Sequence, residues 1–216
     1  MELIDRYHLA IYDLLNKVRT TQRENIEKAA DIVKNAILSG HKVYLSSICH
    51  YIEYDIIRRG GGPVFYKHYE DGKTELKEGD VLFVSSVSGR TLSVVNLAYD
   101  AVKKGVKVIA FTSMEYATAV DAVHESGKKL YEIATFTLDN CAPSAEAMLA
   151  VDGIEARFGA ASGIASDFIM WSLTAVLVEK MLKEGNVPGI LKSANYEDGM
   201  SYNKEIIDAH YEKFGW

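Results

Sequence analysis

Apolar side chains recur at three- and four-residue intervals from residue 2 to residue 39, a spacing that places one apolar stripe along a helix. A single straight helix of this length would span ~55 Å, longer than the ~45 Å expected for a domain of this size. We therefore predict that the helix breaks near Thr20 and Thr21 or projects to meet another subunit, and that it stops at Gly40. The stripe consists of Ile11, Leu14, Leu15, Val18, Ile26, Ala29, Val33, Ala36 and Ile37.

Short apolar runs then alternate with helical patterns. Strands are predicted at 42–46, 64–66, 81–84, 107–112 and 136–138, a loop at 67–80, and helical segments at 51–59, 92–104, within 116–131, and at 162–184. Residues 148–151 fit either a strand or a loop, and the tail ends in a short helix. Strand, helix and strand in this order indicate right-handed βαβ units in a buried parallel sheet. We expect one three-layer α/β/α domain over residues 1–216, with its ligand at the carboxyl ends of the strands.

The segment SSVSGRT, residues 85–91, follows the strand 81–84 directly and precedes a helix. The first N–H groups of a helix have no internal partner, and the helix dipole places positive potential there. Short hydroxyl side chains and Gly89 suit the close approach of a phosphate group. The segment therefore predicts an anion pocket, and the alternative is a turn whose serine or threonine caps the helix without any ligand.

Composition narrows the classes of partner. The chain has 216 residues, of which 48% are hydrophobic, and its 30 acidic and 24 basic side chains give a net charge of −6. This balance argues against a general nucleic-acid binder, although a locally positive site could still hold a small anion. The apolar stretch 164–178 is interrupted by polar residues, so we expect no membrane span. With only Cys49 and Cys141, and without a recognisable leader, the chain is expected to be reduced and cytoplasmic.

Nucleotide-binding motifs fit poorly. Gly72, Lys73 and Thr74 resemble the end of a P-loop, but Lys67 stands where its first glycine belongs. No G-x-G-x-x-G follows the first strand, and a flavin phosphate loop would also be expected after that strand. We therefore expect no cofactor.

The sequence also gives little support for a metal site or a catalytic nucleophile. The six histidines show no paired spacing, so we expect no metal site. Cys49 and His50 could form a thiolate and base, but adjacent side chains diverge, and a buried thiol is the simpler reading. Glu53 is a better acid/base candidate, against the alternative of a solvated carboxylate on a helix face.

The residues SSVSGRT before a helix resemble the signature of the sugar isomerase (SIS) domain, whose S-x-S-G-x-T loop holds the phosphate of a phosphosugar. The resemblance covers almost the whole chain. The chain is similar to a family of stand-alone SIS-domain proteins that bind phosphosugars. Its more specific part is the tail pattern S-x-N-x-x-D-G-x-x-x-N. That pattern is formed here by Ser193, Asn195, Asp198, Gly199 and Asn203.

The resemblance implies a flavodoxin-like fold with a five-stranded parallel sheet, a homodimer or homotetramer, and a phosphosugar pocket near a subunit interface. From charge and hydropathy we expect neither nucleic acid nor membrane as partner. The residues that match the phosphate loop are Ser86, Ser88, Gly89, Arg90 and Thr91. Ser46 and Ser47 are the nearest matches to a second serine after the first strand. There the chain departs from the usual G-x-G-x-S, because bulky Ile48 and Cys49 stand where small residues or serine are expected.

Two functions follow from the resemblance. The first is phosphosugar binding with aldose–ketose isomerisation, or with etherase-type elimination as the less favoured reaction. Phosphoheptose isomerases use a glutamate on the helix after the first-strand loop and a histidine on the last long helix, and the helix 162–184 here has no histidine. The weak catalytic candidates are Glu53, His50, Asp198 and His210, the last two reaching in from a neighbouring subunit. The alternative function is a non-catalytic phosphosugar sensor that acts through oligomer or partner-protein contacts.

Overall fold

The computed structural model describes residues 1–47 and 52–216. Helices and strands alternate along this part of the chain, as the hydrophobic pattern predicts. The helices are α1 (Leu3–Thr21), α2 (Arg23–Leu38), α3 (Glu53–Ile56), α4 (Leu92–Lys103), α5 (Met114–Ala119), α6 (Leu130–Ile133), α7 (Ser162–Lys183) and α8 (Gly199–Phe214). The strands are β1 (Val43–Leu45), β2 (Tyr66–His68), β3 (Val81–Ser85), β4 (Lys107–Thr112), β5 (Phe136–Asp139), β6 (Ala147–Val151) and β7 (Ile154–Ala160).

Strands β1 to β5 form one parallel sheet in the order β2-β1-β3-β4-β5. The five-stranded parallel sheet is therefore confirmed. The order reverses direction at β1 and β3, which are neighbours in the sheet although β2 lies between them in sequence. Such a switch point opens a crevice beyond the carboxyl ends of the two strands, where α/β proteins bind their ligands.

The central strand β3 is buried on both faces, which explains its continuous apolar run. Val81 and Phe83 pack on one side with α1, α2 and α7, whereas Leu82 and Val84 pack on the other side with α4 and α6. Alternate side chains of a strand point to opposite faces, so a strand covered by helices on both sides needs apolar residues throughout. These two cores produce the predicted α/β/α layers.

The predicted break in the N-terminal helix is confirmed. Helices α1 and α2 meet at Gln22, next to Thr21, and Gln22 has φ −104° and ψ 0°. Its side chain is buried, and its Oε1 accepts a hydrogen bond from the N–H of Asp139 at 3.2 Å. The break therefore lets α2 turn onto the sheet near the end of β5.

Several predicted boundaries were wrong. The edge strand β2 covers Tyr66–His68 rather than 64–66, so the loop begins after His68. Helix α3 is limited to Glu53–Ile56 within the described residues, and the last helix, α8, is long rather than short. Residues 148–151 belong to a strand, and β6 pairs with β7 in an antiparallel hairpin that the pattern did not predict.

Helix α7 is apolar for a structural reason. Its inner side chains, among them Ile169, Leu173 and Leu177, are buried against α2 and the sheet. By length and composition alone this helix could also cross a membrane. Tyr66 of β2 shares a hydrogen bond of 3.1 Å with Thr174 of α7, which ties the edge strand to this helix.

Candidate functional site

The SSVSGRT segment connects the end of β3 to the start of α4, at the switch point of the sheet. Ser85 and Ser86 are buried, Ser88 and Arg90 are half-buried, and Thr91 is exposed. Thr91 is the N-cap of α4, but its side chain does not cap the helix. Within the described part of the chain, the N–H groups of Leu92 and Ser93 at the start of α4 therefore have no side-chain acceptor, an arrangement that favours an anion.

The loop is held from below by neighbouring strands and helices. The hydroxyl of Thr112, at the end of β4, donates to the carbonyl oxygens of Ser86 at 2.8 Å and Val87 at 3.1 Å. The N–H of Leu130, at the start of α6, donates to the carbonyl oxygen of Gly89 at 2.8 Å. The backbone carbonyls are thus turned inward, which leaves the opposite side of the loop for a ligand.

Gly89 is required by both conformation and space. Its φ of +66° lies in the left-handed region, which side-chain-bearing residues rarely adopt. A Cβ at this position would lie 3.1 Å from the Cβ of Ala117 and 3.4 Å from Oγ1 of Thr112. The glycine therefore allows the loop to pack directly on β4 and α5.

Four side chains of the loop remain available for binding. Ser88 and Arg90 make no hydrogen bond or ion pair to any residue that the structure describes. The hydroxyl of Ser86 donates to Oγ1 of Thr91 at 2.9 Å, and both hydroxyls can rotate toward an incoming acceptor. The loop thus offers three hydroxyls and one guanidinium near the start of α4.

Ser46 and Ser47 follow β1, the strand next to β3, but they differ in their surroundings. Ser46 is buried, and its hydroxyl donates to the carbonyl oxygen of Phe83 at 2.7 Å. Ser47 is exposed. Both line a groove of about 220 Å³, whose other walls come from the loop after β2 and the first turns of α4: Tyr69, Asp71, Ser93, Val94 and Leu97. We call this the sugar groove below.

A larger cavity of about 690 Å³ continues from the sugar groove along α4, under residues 71–76. The residues GKT lie in this loop, where Lys73 pairs with Glu70 at 2.7 Å. The segment leads into β3 through a loop rather than into a helix, so it does not have the geometry of a P-loop.

Of the predicted catalytic residues on the β1 side, Glu53 is buried at the start of α3. His50, like Cys49, lies outside the described residues. Within residues 1–47 and 52–216, no cluster of three or more histidines, cysteines, aspartates and glutamates has the geometry to hold a metal ion.

Asp167 of α7 is a candidate that the sequence pattern did not reveal. Its Oδ1 is buried and has no hydrogen-bond partner among the described residues. Burial and the nearby carboxylate of Asp55 raise the pKa of Asp167, although Arg59 acts against them. Asp55 accepts a hydrogen bond from Nε1 of Trp171 at 3.3 Å, which fixes the pair of carboxylates between α3 and α7. A carboxyl with a raised pKa is suited to proton transfer.

The two predicted tail residues do not line the sugar groove within one chain. Asp198 is exposed and pairs with Lys192 at 2.6 Å, and this contact lowers the pKa of Asp198. His210 is buried in a different cavity, at the outer edge of β2, where burial and then Lys67 lower its pKa to about 4. Their approach from a neighbouring subunit stays a prediction.

The tail pattern has a structural explanation. The side chain of Asn203 accepts from the N–H of Lys192 at 2.8 Å and donates to its carbonyl oxygen at 2.9 Å. A Cβ on Gly199 would lie 2.2 Å from the carbonyl oxygen of Ser193, and one on Gly60 would lie 2.9 Å from the Cα of Ser193. The pattern therefore folds a tight turn against the glycines that follow α3.

Fold and loop together define a protein of the SIS class. A family model described as the SIS domain matches residues 63–113, which include β3, the SSVSGRT loop and β4. The chain is 30% identical to a UPF0309 protein of Shouchella clausii, with 97% of each chain covered. It is 31% identical to a UPF0309 protein of Halalkalibacterium halodurans, with 91% of this chain and 93% of that protein covered. The chain belongs to the UPF0309 family.

Solved structures share the fold at low sequence identity. A hypothetical protein of Methanococcus jannaschii, whose structure inferred a function as 3-hexulose-6-phosphate isomerase, aligns with a TM-score of 0.52 and 16% identity, over 95% of this chain and 97% of that one. The Vibrio vulnificus NanR protein, solved in complex with ManNAc-6P, aligns with a TM-score of 0.53 and 14% identity, over 96% of this chain and 68% of that one. The sugar isomerase domain of an RpiR transcription factor from Sphaerobacter thermophilus aligns with a TM-score of 0.52 and 15% identity, over 95% and 98%.

Proposed function

We propose that this protein binds a phosphorylated sugar, with the phosphate against the SSVSGRT loop at the start of α4. The observation that carries the proposal is the uncapped helix start behind a loop whose carbonyls are turned inward by Thr112 and Leu130. A phosphate there would accept hydrogen bonds from the first N–H groups of α4 and from the hydroxyls of Ser88 and Thr91. The guanidinium of Arg90 would add a charge-assisted bond.

The sugar would extend into the sugar groove, toward Ser47 and Asp71. A carboxylate accepts hydrogen bonds from sugar hydroxyls, but it repels a phosphate dianion at close range. Asp71 therefore favours an orientation in which the phosphate lies at the loop and the hydroxyl-bearing carbons lie near β2. The ManNAc-6P bound by the Vibrio protein of the same fold supports a sugar phosphate as the class of ligand.

Isomerisation is the reaction that we propose if the ligand is turned over. A base must move a proton between adjacent carbons. Glu53 is a buried carboxyl at the start of α3, and Asp167 of α7 is half-buried with its Oδ1 buried. The raised pKa of Asp167 suits an acid that is protonated before the reaction. The alternative, a sensor without turnover, is supported by the RpiR transcription factor, whose sugar isomerase domain has the same fold.

A thermal-shift panel of aldose and ketose phosphates, each paired with its unphosphorylated sugar, tests the binding proposal. A ligand that binds only the folded state raises the melting temperature. We expect a shift with at least one sugar phosphate, none with the free sugar, and loss of the shift in Ser88→Ala/Thr91→Ala. The exposed serine of α8 gives the matched control Ser201→Ala, which should keep the full shift. The absence of any shift at millimolar ligand would overturn the proposal.

Turnover is tested on the sugar phosphate that binds. Incubation in deuterated water, followed by proton NMR, detects both aldose–ketose interconversion and deuterium entry at the carbon that loses its proton. Enzymatic function predicts both signals, and predicts that Glu53→Gln or Asp167→Asn removes them while binding persists. Binding with neither signal would favour the sensor.

A further inference from the structure

A second cavity lies at the outer edge of the sheet, away from the SSVSGRT loop. It measures about 450 Å³ and is enclosed by the edge strand β2, the segment 57–64 and helix α8 with the residues after it. We call it the edge cavity. None of the residues that line it belongs to the loop or to the sugar groove. Its size lies within the range of small-molecule sites.

Two buried polar atoms among the lining residues have no hydrogen-bond partner in the described part of the chain. They are Nε2 of His210 and Nε1 of Trp216, in side chains that are only 9% and 7% exposed. The two rings meet edge to face, with centroids 4.8 Å apart. An indole N–H can only donate, and leaving it desolvated and unpaired is unfavourable. The pair thus presents hydrogen-bonding capacity that no residue of this part of the chain uses.

The charges around the edge cavity favour an anion. Nζ of Lys67 lies 5.2 Å from the centroid of the Trp216 ring. Burial lowers the pKa of Lys67, and the neighbouring cations Lys42 and Arg58 lower it further. Among the described side chains that line the cavity Glu70 carries the one carboxylate, and that carboxylate pairs with Lys73 at 2.7 Å. A bound negative charge would relieve the repulsion among the three cations.

Apart from His68, the rest of the wall is apolar or aromatic. It is formed by Tyr44, Ile57, Pro63, Val64, Tyr66, Leu191, Ile207 and Tyr211. A ligand that fits both parts of the cavity has one small anionic head and an apolar body. Lys67, Trp216 and His210 offer one ammonium, one indole N–H and one imidazole, which match the acceptor positions of a carboxylate, and the guanidinium of Arg58 adds positive charge at the wall. A phosphate dianion costs more to bury beside an apolar wall than a carboxylate with a single charge.

We propose that the edge cavity is a second ligand site, which binds a small organic carboxylic acid through Lys67, Trp216 and His210. The ammonium of Lys67 and the N–H of Trp216 bind the carboxylate, and His210 donates from Nε2 in its neutral form. The aliphatic and aromatic wall holds the body of the acid. The site is independent of the phosphosugar loop.

Tryptophan fluorescence reads this site directly, because Trp171 and Trp216 are the two tryptophans of the chain. In a Trp171→Phe background, all tryptophan fluorescence comes from Trp216. The probe is phenylacetate, with phenylacetamide as a neutral control of the same shape and phenyl phosphate as a dianionic one. We expect a saturable change in emission with millimolar phenylacetate, no change with phenylacetamide, and weaker binding of phenyl phosphate.

Variants separate this site from the phosphosugar loop. In the Trp171→Phe background, Lys67→Met should weaken phenylacetate binding about tenfold, the loss typical of a charge-assisted hydrogen bond. Lys128→Met, at an exposed lysine outside the edge cavity, should leave it unchanged. Ser88→Ala/Thr91→Ala should also leave phenylacetate binding unchanged. The result therefore does not depend on whether the protein binds a phosphosugar. If Lys67→Met does not fold, Arg58→Met replaces it, with a smaller loss expected.

Three outcomes would overturn the proposal. One is no change of Trp216 emission with phenylacetate, and another is equal binding of phenylacetate and phenylacetamide. The third is tighter binding of phenyl phosphate, which would show that the cavity selects phosphate rather than carboxylate.

Discussion

Thr112→Val tests whether the phosphate loop is held in place by the end of β4. Thr112 is fully buried, and the substitution removes its hydrogen bonds of 2.8 Å and 3.1 Å to the carbonyls of Ser86 and Val87. The single hydroxyl proton is shared between the two carbonyls, and a hydrogen bond contributes about 0.5–1.5 kcal/mol net. Both carbonyls keep one backbone donor, the N–H of Gly89 for Ser86 and that of Ser113 for Val87. We therefore expect a loss of about 1–1.5 kcal/mol in the free energy of unfolding.

Thr20→Val is the matched control for this measurement. The hydroxyl of Thr20 also donates to two carbonyls, at 2.8 Å and 3.1 Å, but at an exposed position of α1. Water replaces those bonds, so we expect a change within about 0.5 kcal/mol. Urea denaturation of the wild type and both variants gives the free energies. Equal losses in the two variants, or an unchanged Thr112→Val, would refute the role assigned to Thr112.

Three further predictions concern other contacts. Gly89→Ala should lower the free energy of unfolding by about 1–2 kcal/mol because of the left-handed φ, and further because the new Cβ contacts Ala117 and Thr112. Gly127→Ala shares the left-handed backbone, with a φ of +70°, but has open space around it, so it should lose less stability. Denaturant midpoints of the two variants give the comparison. Lys129→Met removes hydrogen bonds of 2.6 and 2.8 Å to two carbonyls of the α5 region, and should lower stability by about 1–2 kcal/mol, whereas Lys128→Met should be neutral. Because the pKa of His210 is lowered to about 4, the unfolded state takes up this proton first as pH falls below about 6.5. The stability contributed by neutral His210 should thus be complete above that pH and be lost toward pH 4, by at most about 3 kcal/mol in the free energy of unfolding. Denaturation at several pH values should show a smaller decline in His210→Gln.

The parts of the fold that sequence predicts are those buried on both sides. Strand β4 was predicted with the bounds observed, and α4 ends within one residue of its predicted end, because continuous apolar runs and Gly105 mark them clearly. The hairpin strand β7 was missed because its residues are nearly all exposed, so no core face imposes an alternation on the sequence. The edge strand β2 ends in Lys67 and His68, polar residues that fit an edge and resemble a loop.

The candidate site divides in the same way. The SSVSGRT loop is local in sequence, so its hydroxyls and glycine can be recognised in one stretch. The residues that shape it are distant, because Thr112 and Leu130 act on the loop through the order of strands in the sheet. Asp167 could not be predicted as a candidate, because the sequence of an apolar helix does not show that its aspartate lies near the carboxylate of Asp55 on α3. The edge cavity likewise combines residues that only the packing of α8 brings together.

The measurement that tests the central claim most directly is a titration of the ¹⁵N-labelled protein with a sugar phosphate, followed in amide NMR spectra. If the phosphate binds at the start of α4, the largest shifts should appear at the amides of residues 88–93, with smaller ones around Ser47 and Asp71. The unphosphorylated sugar should leave residues 88–93 in place. Saturable shifts confined to other parts of the chain, or none with any sugar phosphate, would contradict the account.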